Sequence, residues 1–208
     1  MLSLPKMGDE YKSAKHYDKF LHLFVWGIRK KVLKIVKKNQ YKKILDVCCG
    51  TGNQLKLLKK HGIDGTGVDL SKAMLEVAES GKIKVKCHEQ DAENISFPDE
   101  SFDMTMTTFA LHEKSISSAR KIINEMIRLT KKNAHLIIVD FSIDSNTSFF
   151  AKTGIKLIES SAGDDHYKHY KEYVASNGLD TLLKGSLLKE VEKYYFAFNG
   201  VVLKVLQK

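Results

Sequence analysis

From Tyr11 to Lys38 the apolar residues Phe20, Leu23, Phe24, Trp26, Ile28, Val32, Leu33, Ile35 and Val36 recur at three- and four-residue intervals, with lysines between them. That period predicts one or two amphipathic helices ahead of the core, with Phe24 and Trp26 packed inward by default. KKILDVCC then predicts a short buried strand, broken by GTGN and followed by a helical stripe through Leu55, Leu57 and Leu58 that ends near Gly62. GTGVDLS predicts a second strand, with Ser71 as N-cap of a helix carrying Met74, Leu75, Val77 and Ala78 and closing at Gly81. IKVKCHEQD alternates as a third strand, Pro98-Asp99 marks a turn, and SFDMTMTTFAL predicts a fourth. A helix over about 117–131 leads to a fifth strand, AHLIIVDFS.

Strands alternating with helices in this way predict an α/β fold: a mostly parallel sheet with helices on both faces. Beyond Ser142 the pattern turns to polar helical segments over roughly 147–177. EVEKYYFAF and VVLKVLQK then flank Asn199-Gly200, a type I′ hairpin signal, so seven strands are expected, the last two forming an antiparallel hairpin. With 208 residues, 43% of them hydrophobic, the whole chain 1–208 is expected to form one domain.

Charge and cysteine content narrow the picture. No run approaches eighteen apolar residues, and MLSLPKMGDEYK lacks the apolar stretch of a signal peptide, so a cytoplasmic protein is expected. Cys48, Cys49 and Cys87 fit neither a disulfide framework nor paired zinc spacing, and are expected to be buried reduced thiols. The net charge of +9 raises a nucleic-acid or anionic-membrane surface as a question. Its lysines, however, are spread over helix faces such as Lys30, Lys34, Lys37, Lys59 and Lys60, where solvated charge suffices.

The segment with the sharpest chemistry is Asp46-Val47-Cys48-Cys49-Gly50-Thr51-Gly52-Asn53, where a buried strand becomes a helix. Glycines there permit close backbone approach or a positive φ, and the helix N-terminus behind them offers amides to an anion. Asp69, about twenty residues on and at the end of the second strand, stands where a carboxylate accepts from a ribose diol, or else begins the cap of the next helix. Asp91-Ala92 follows the third strand, placed to meet an exocyclic amine, or else Asp91 is an ordinary loop carboxylate. Gly50 and Gly52 are followed by Leu55 rather than a third glycine, which argues against a dinucleotide.

DVCCGTGN, GVDLS, QDAENISFPDESFDM and LIIVDFS resemble the successive motifs of class I S-adenosylmethionine-dependent methyltransferases over about residues 44–142. The closest likeness is to the ubiquinone/menaquinone biosynthesis C-methyltransferases, whose N-terminal YD…G…R pattern is matched by Tyr17-Asp18, Gly27 and Arg29. The resemblance implies a Rossmann-like sheet closed by a terminal hairpin, with 1–40 a helical lid, 41–142 the cofactor-binding core and 143–208 the substrate side. It implies S-adenosyl-L-methionine as cofactor, held by Tyr17, Arg29, Asp46, Cys48, Gly50, Thr51, Gly52, Asp69, Leu70, Asp91, Ala92 and Thr108. Where those enzymes carry Arg-Asn after the fourth strand, this chain has His112-Glu113, and its tail differs beyond Ser142.

Methyl transfer from a sulfonium needs alignment and exclusion of water more than a catalytic triad. His112 is the candidate general base for a carbon or phenol-type nucleophile, or else a pocket-lining residue; Glu113 either orients it or favours the next helix's positive end. DDHYKHYKEY, with His166, Tyr167, His169, Tyr170 and Tyr173, lies over the substrate pocket or forms an amphipathic helix, and no metal is expected there. The acceptor is expected to be a small molecule, such as a quinone-type carbon, with peripheral membrane contact left open. An RNA or protein methyltransferase and a non-catalytic cofactor-binding protein remain as alternatives. Thr107-Thr108-Phe109-Ala110-Leu111 stands where nitrogen-directed enzymes carry Asn/Asp-Pro-Pro-Tyr, so no nucleic-acid partner is expected.

Overall fold

The computed structural model describes residues 25–208. The readings made of Tyr17, Phe20 and Phe24 lie outside them. Residues 25–39 form α1, followed by β1 (Ile44–Val47), α2 (Asn53–Lys60), β2 (Thr66–Asp69), α3 (Lys72–Ala78) and β3 (Lys86–Glu89). Then come β4 (Phe102–Thr108), a 3₁₀ turn (Leu111–Glu113), α4 (Ile116–Leu129), β5 (Thr130–Phe141), α5 (Phe149–Ser160), α6 (Asp164–Ala175), α7 (Gly178–Leu183), β6 (Lys189–Phe196) and β7 (Val201–Gln207). The seven-stranded sheet has the order β3-β2-β1-β4-β5-β7-β6, the mostly parallel Rossmann-like arrangement with a C-terminal antiparallel hairpin. The described residues divide into two compact units, the first ending at Ala92 and the second spanning Glu93–Lys208.

In the first unit β1 is buried along its whole length, and β2 pairs with it in parallel, Leu45 opposite Thr66 and Val47 opposite Val68. Strands covered on both faces read as unbroken apolar runs, which is why ILDV was legible. α1 buries Val25, Ile28, Val32, Leu33, Ile35 and Val36 and leaves Lys34, Lys37 and Lys38 in water. Trp26, expected in the core, is instead 36% exposed on the other side of α1, with the Lys30 ammonium 5.0 Å over its ring. The Ser71 hydroxyl accepts the Met74 N–H and caps α3 as expected. The three thiols are half-buried rather than buried.

In the second unit β4 and β5 run parallel from Met104 opposite His135 to Thr108 opposite Val139. β7 lies antiparallel between β5 and β6, its residues Val201 to Leu206 all buried. β5 begins at Thr130, before the apolar run that marks it in the sequence. The residues that follow are the polar Lys131, Lys132 and Asn133, and the Thr130 hydroxyl closes α4 by donating to the Met126 carbonyl at 2.7 Å. α7 was not expected; Leu179 and Leu182 anchor it to the core. The two-residue turn expected at Asn199-Gly200 is a four-residue connection in which Ala197, Phe198 and Asn199 all have positive φ. Its carbonyls are taken up by a neighbouring loop: Gly200 O accepts from Ser142 N–H, Phe198 O from Ser148 N–H and Asn199 O from the Thr147 hydroxyl. Those tertiary hydrogen bonds override the local turn preference.

Candidate active site

After β1 the backbone takes three left-handed steps, at Cys48 (φ 58°), Gly50 (φ 52°) and Gly52 (φ 68°), before α2 starts. Cys49 N–H donates to Val68 O of β2 at 3.0 Å and Gly52 N–H to Cys49 O at 3.0 Å, which holds the loop against its neighbouring strand. The two glycines answer different demands. A Cβ on Gly52 would fall 2.8 Å from Val85 Cγ2 and 3.1 Å from Ala78 Cβ, whereas one on Gly50 would meet nothing among the described residues within 4 Å. The space in front of Gly50 is therefore open to a ligand, and positive φ suits glycine at both positions.

Asp69 ties this loop to the end of β2. Its Oδ2 accepts the Gly50 N–H at 2.8 Å and its Oδ1 accepts the Ser71 N–H at 2.9 Å. A carboxylate oxygen takes more than one donor, so both oxygens keep capacity for a diol. Leu70 beside it is 67% exposed, an apolar side chain presented at the strand end. Beneath the loop Asp46 is buried, and burial pushes its carboxyl well above the usual range; Cys87 and Asp69 push the same way, against the Arg29 guanidinium. Thr51 is buried and its hydroxyl accepts from Asn53 Nδ2 at 3.0 Å. Arg29 lies on α1, where its carbonyl receives Gln54 Nε2 at 3.4 Å; Asp91 is exposed and Ala92 buried just beyond β3.

The second unit carries a different constellation. Thr108 ends β4, half-buried, and His112 follows in the 3₁₀ turn, 2% exposed. Its Nδ1 lies 2.6 Å from Asp140 Oδ1 and its Nε2 3.4 Å from Glu159 Oε2. Asp140, near the end of β5, is itself fixed by the N–H groups of Leu111, His112 and Phe141 at 3.0, 3.2 and 2.8 Å. Glu159 of α5 also meets His166 Nε2 of α6 at 2.5 Å. Burial alone would lower the His112 pKa, but Asp140 and Glu159 outweigh it and raise it to about 10. Burial likewise opposes the Glu159 carboxylate, and the two histidines overcome that and hold it at about 2. With both ring nitrogens against carboxylates, His112 holds a proton rather than standing ready to take one.

Of the two alternatives for Glu113, orienting His112 or favouring the next helix's positive end, the first is taken by Asp140 and Glu159, while the Glu113 carbonyl faces His169 Nδ1 at 3.0 Å. A signal for Asp140 existed, a lone carboxylate inside the apolar run LIIVDF; Glu159 sits four residues after buried Ile155, on the helix stripe reserved for the core. Tyr170 and Tyr173 are buried, and the Tyr173 hydroxyl donates to Phe141 O at 2.9 Å.

Residues 44–133, which span the glycine loop, β2, β3 and β4, match the family model described as a methyltransferase domain. A demethylmenaquinone methyltransferase from Thermotoga maritima is 28% identical over 91% of this chain and 91% of its own. The chain is an S-adenosylmethionine-dependent methyltransferase. A demethylmenaquinone methyltransferase from Geobacillus sp. is 33% identical over 63% of this methyltransferase and 60% of its own length. The magnesium protoporphyrin IX methyltransferase from Synechocystis PCC 6803, solved with bound SAH, superposes with a TM-score of 0.68 over 96% of this chain and 93% of that one, at 15% identity, a likeness of fold. No helix of the described residues is long and apolar enough to cross a membrane.

Proposed function

We propose that this methyltransferase acts in the cytoplasm on a small-molecule acceptor, a ring carbon of a quinone-type compound. The observation that carries the acceptor is the likeness, over 91% of both chains, to a demethylmenaquinone methyltransferase. The exposed Phe149, Phe150 and Leu157 of α5, interspersed with Lys152 and Lys156, support peripheral contact with a lipid phase, where such acceptors partition.

For the cofactor, the open space before Gly50 and the α2 N-terminus support a cradle made by Cys48, Gly50, Thr51 and Gly52, with Asp46 and Arg29 at its amino-acid end. Asp69 takes the ribose hydroxyls, Leu70 covers them, and Asp91-Ala92 meets the adenine. Tyr17, outside the described residues, stays in this set through the family pattern alone. S-adenosylmethionine, when bound there, would supply a methyl group already activated by its sulfonium. What the chain's own residues contribute is alignment and exclusion of water, with His112 holding its proton between Asp140 and Glu159.

The test is an anaerobic turnover assay with a short-chain demethylmenaquinone analogue reduced beforehand to its quinol, whose ring carbon takes the methyl and releases its proton to solvent, following S-adenosylhomocysteine and a product one methyl group heavier. Turnover that is lost in Asp69→Ala supports both halves of the reading. Turnover with an amine or catechol instead would replace the acceptor and leave the cofactor site standing.

A further inference from the structure

His112, Glu159 and His166 each offer one ligand atom, and these atoms all lie within 4.8 Å of one another. They come from the 3₁₀ turn after β4, from α5 and from α6, all within the second unit. Two imidazoles and one carboxylate are a donor set suited to zinc and similar divalent ions. Tetrahedral zinc with bonds of about 2.0–2.1 Å sets its ligand atoms about 3.3 Å apart. His112 Nε2 and Glu159 Oε2 are 3.4 Å apart, already at that spacing. His166 Nε2, 2.5 Å from the same oxygen, has to retreat by less than about 1 Å. Its side chain, 22% exposed in the first turn of α6, has room to do so.

The surroundings of His112 also fit. A ligating imidazole characteristically gives its other ring N–H to a carboxylate, which sets the tautomer and the ring's pose. Asp140 takes that position at 2.6 Å on Nδ1, and three backbone N–H groups hold Asp140 in turn. The neighbouring His169 turns to a backbone carbonyl instead, so the cluster takes one of the two histidines that the HYKHY run offers.

We propose that His112, Glu159 and His166 bind a divalent transition-metal ion of the zinc type, with Asp140 orienting His112. Three protein ligands leave a fourth position for water or for an oxygen of a bound molecule. Such an ion joins α5 and α6 to the ends of β4 and β5. The site does not depend on the acceptor assigned above; when bound, the ion takes the place of the proton that His112 Nε2 otherwise holds against Glu159.

The experiment uses the full chain, freed of any polyhistidine tag and treated with a chelator that is then removed. Zn²⁺ is titrated by calorimetry, and Co²⁺ in parallel by visible absorption. The expected result is one ion per chain, Co²⁺ bands of tetrahedral intensity, and Zn²⁺ binding weakened about tenfold or more in His166→Ala. Asp140→Asn weakens it by about 10–100-fold, and His169→Ala leaves it unchanged. Absence of saturable binding, or equal binding by wild type and His166→Ala, overturns the proposal and leaves a hydrogen-bonded ion-pair network. Should His166→Ala fail to fold, X-ray absorption of zinc-loaded wild type decides: two imidazole nitrogens in the first shell support the site, and oxygen ligands alone overturn it.

Discussion

The Asp69 carboxylate accepts the Gly50 N–H at 2.8 Å, which makes the acidic residue at the end of β2 and the glycine loop after β1 one mechanical unit. Its second oxygen holds the Ser71 N–H at the start of α3. Asp69→Ala removes both acceptors together. The expected result is a loss of about 1–2 kcal/mol in stability and at least about tenfold weaker binding of S-adenosylmethionine, measured by denaturant unfolding and calorimetry. Unchanged cofactor affinity in a folded variant would remove Asp69 from the ribose.

Gly50 and Gly52 separate function from folding. Gly52→Ala forces a Cβ into Val85 and Ala78 at φ 68° and is expected to cost about 1–2 kcal/mol for the backbone plus about 1–3 kcal/mol for overpacking. Gly50→Ala meets open space, so only the backbone cost applies, about 1–2 kcal/mol. The Gly50 variant should keep its fold and lose cofactor affinity; a Gly50 variant that binds normally would show that the ligand does not approach this loop.

His112 and Glu159 set the pH range of the second unit in chelator-treated protein. His112 is raised from 6.5 to about 10, so its contribution is complete below pH 6.5 and is lost as pH rises through 10. Glu159 is lowered from 4.5 to about 2, so its contribution is complete above pH 4.5 and is lost as pH falls through 2. Thermal stability should thus be greatest between about pH 4.5 and 6.5 as far as this pair is concerned. His112→Asn should flatten the alkaline limb more than the acid one, a difference read from melting temperatures across pH.

Phe149 and Phe150 start α5 with both rings exposed, their centroids 6.1 Å apart. If α5 meets lipid, Phe149→Ser/Phe150→Ser should reduce co-sedimentation with anionic vesicles severalfold without lowering the melting temperature, since neither ring is in the core. Equal sedimentation of both proteins would detach the quinone-type reading from a membrane surface.

The sheet was legible in the sequence because its strands carry their own signal: ILDV, MTMTT, LIIVDF and VVLKVL are apolar or alternating runs between breakers. The start of β5 was hidden, since Lys131, Lys132 and Asn133 are polar at the strand's outer end, and the hairpin tip was misread because its geometry is decided by carbonyls that bond to Ser142, Thr147 and Ser148. In the candidate site, Asp69 announced itself through its place at a strand end. The partners of His112 did not, because Asp140 lies 28 residues away and Glu159 is placed against it only when α5 folds back. Local period finds elements; it does not find contacts between them.

β7 follows β6 in the chain yet lies between β6 and β5. While the chain is being synthesised, β5 therefore emerges with one edge of donors and acceptors exposed, and keeps it exposed through the making of α5, α6, α7 and β6. A hydrophobic edge waiting that long is the region most prone to pair with another nascent chain. The interval in which that edge can pair wrongly is thus set by the order of the strands, and it closes when Val201 to Gln207 pair with Phe141 to His135.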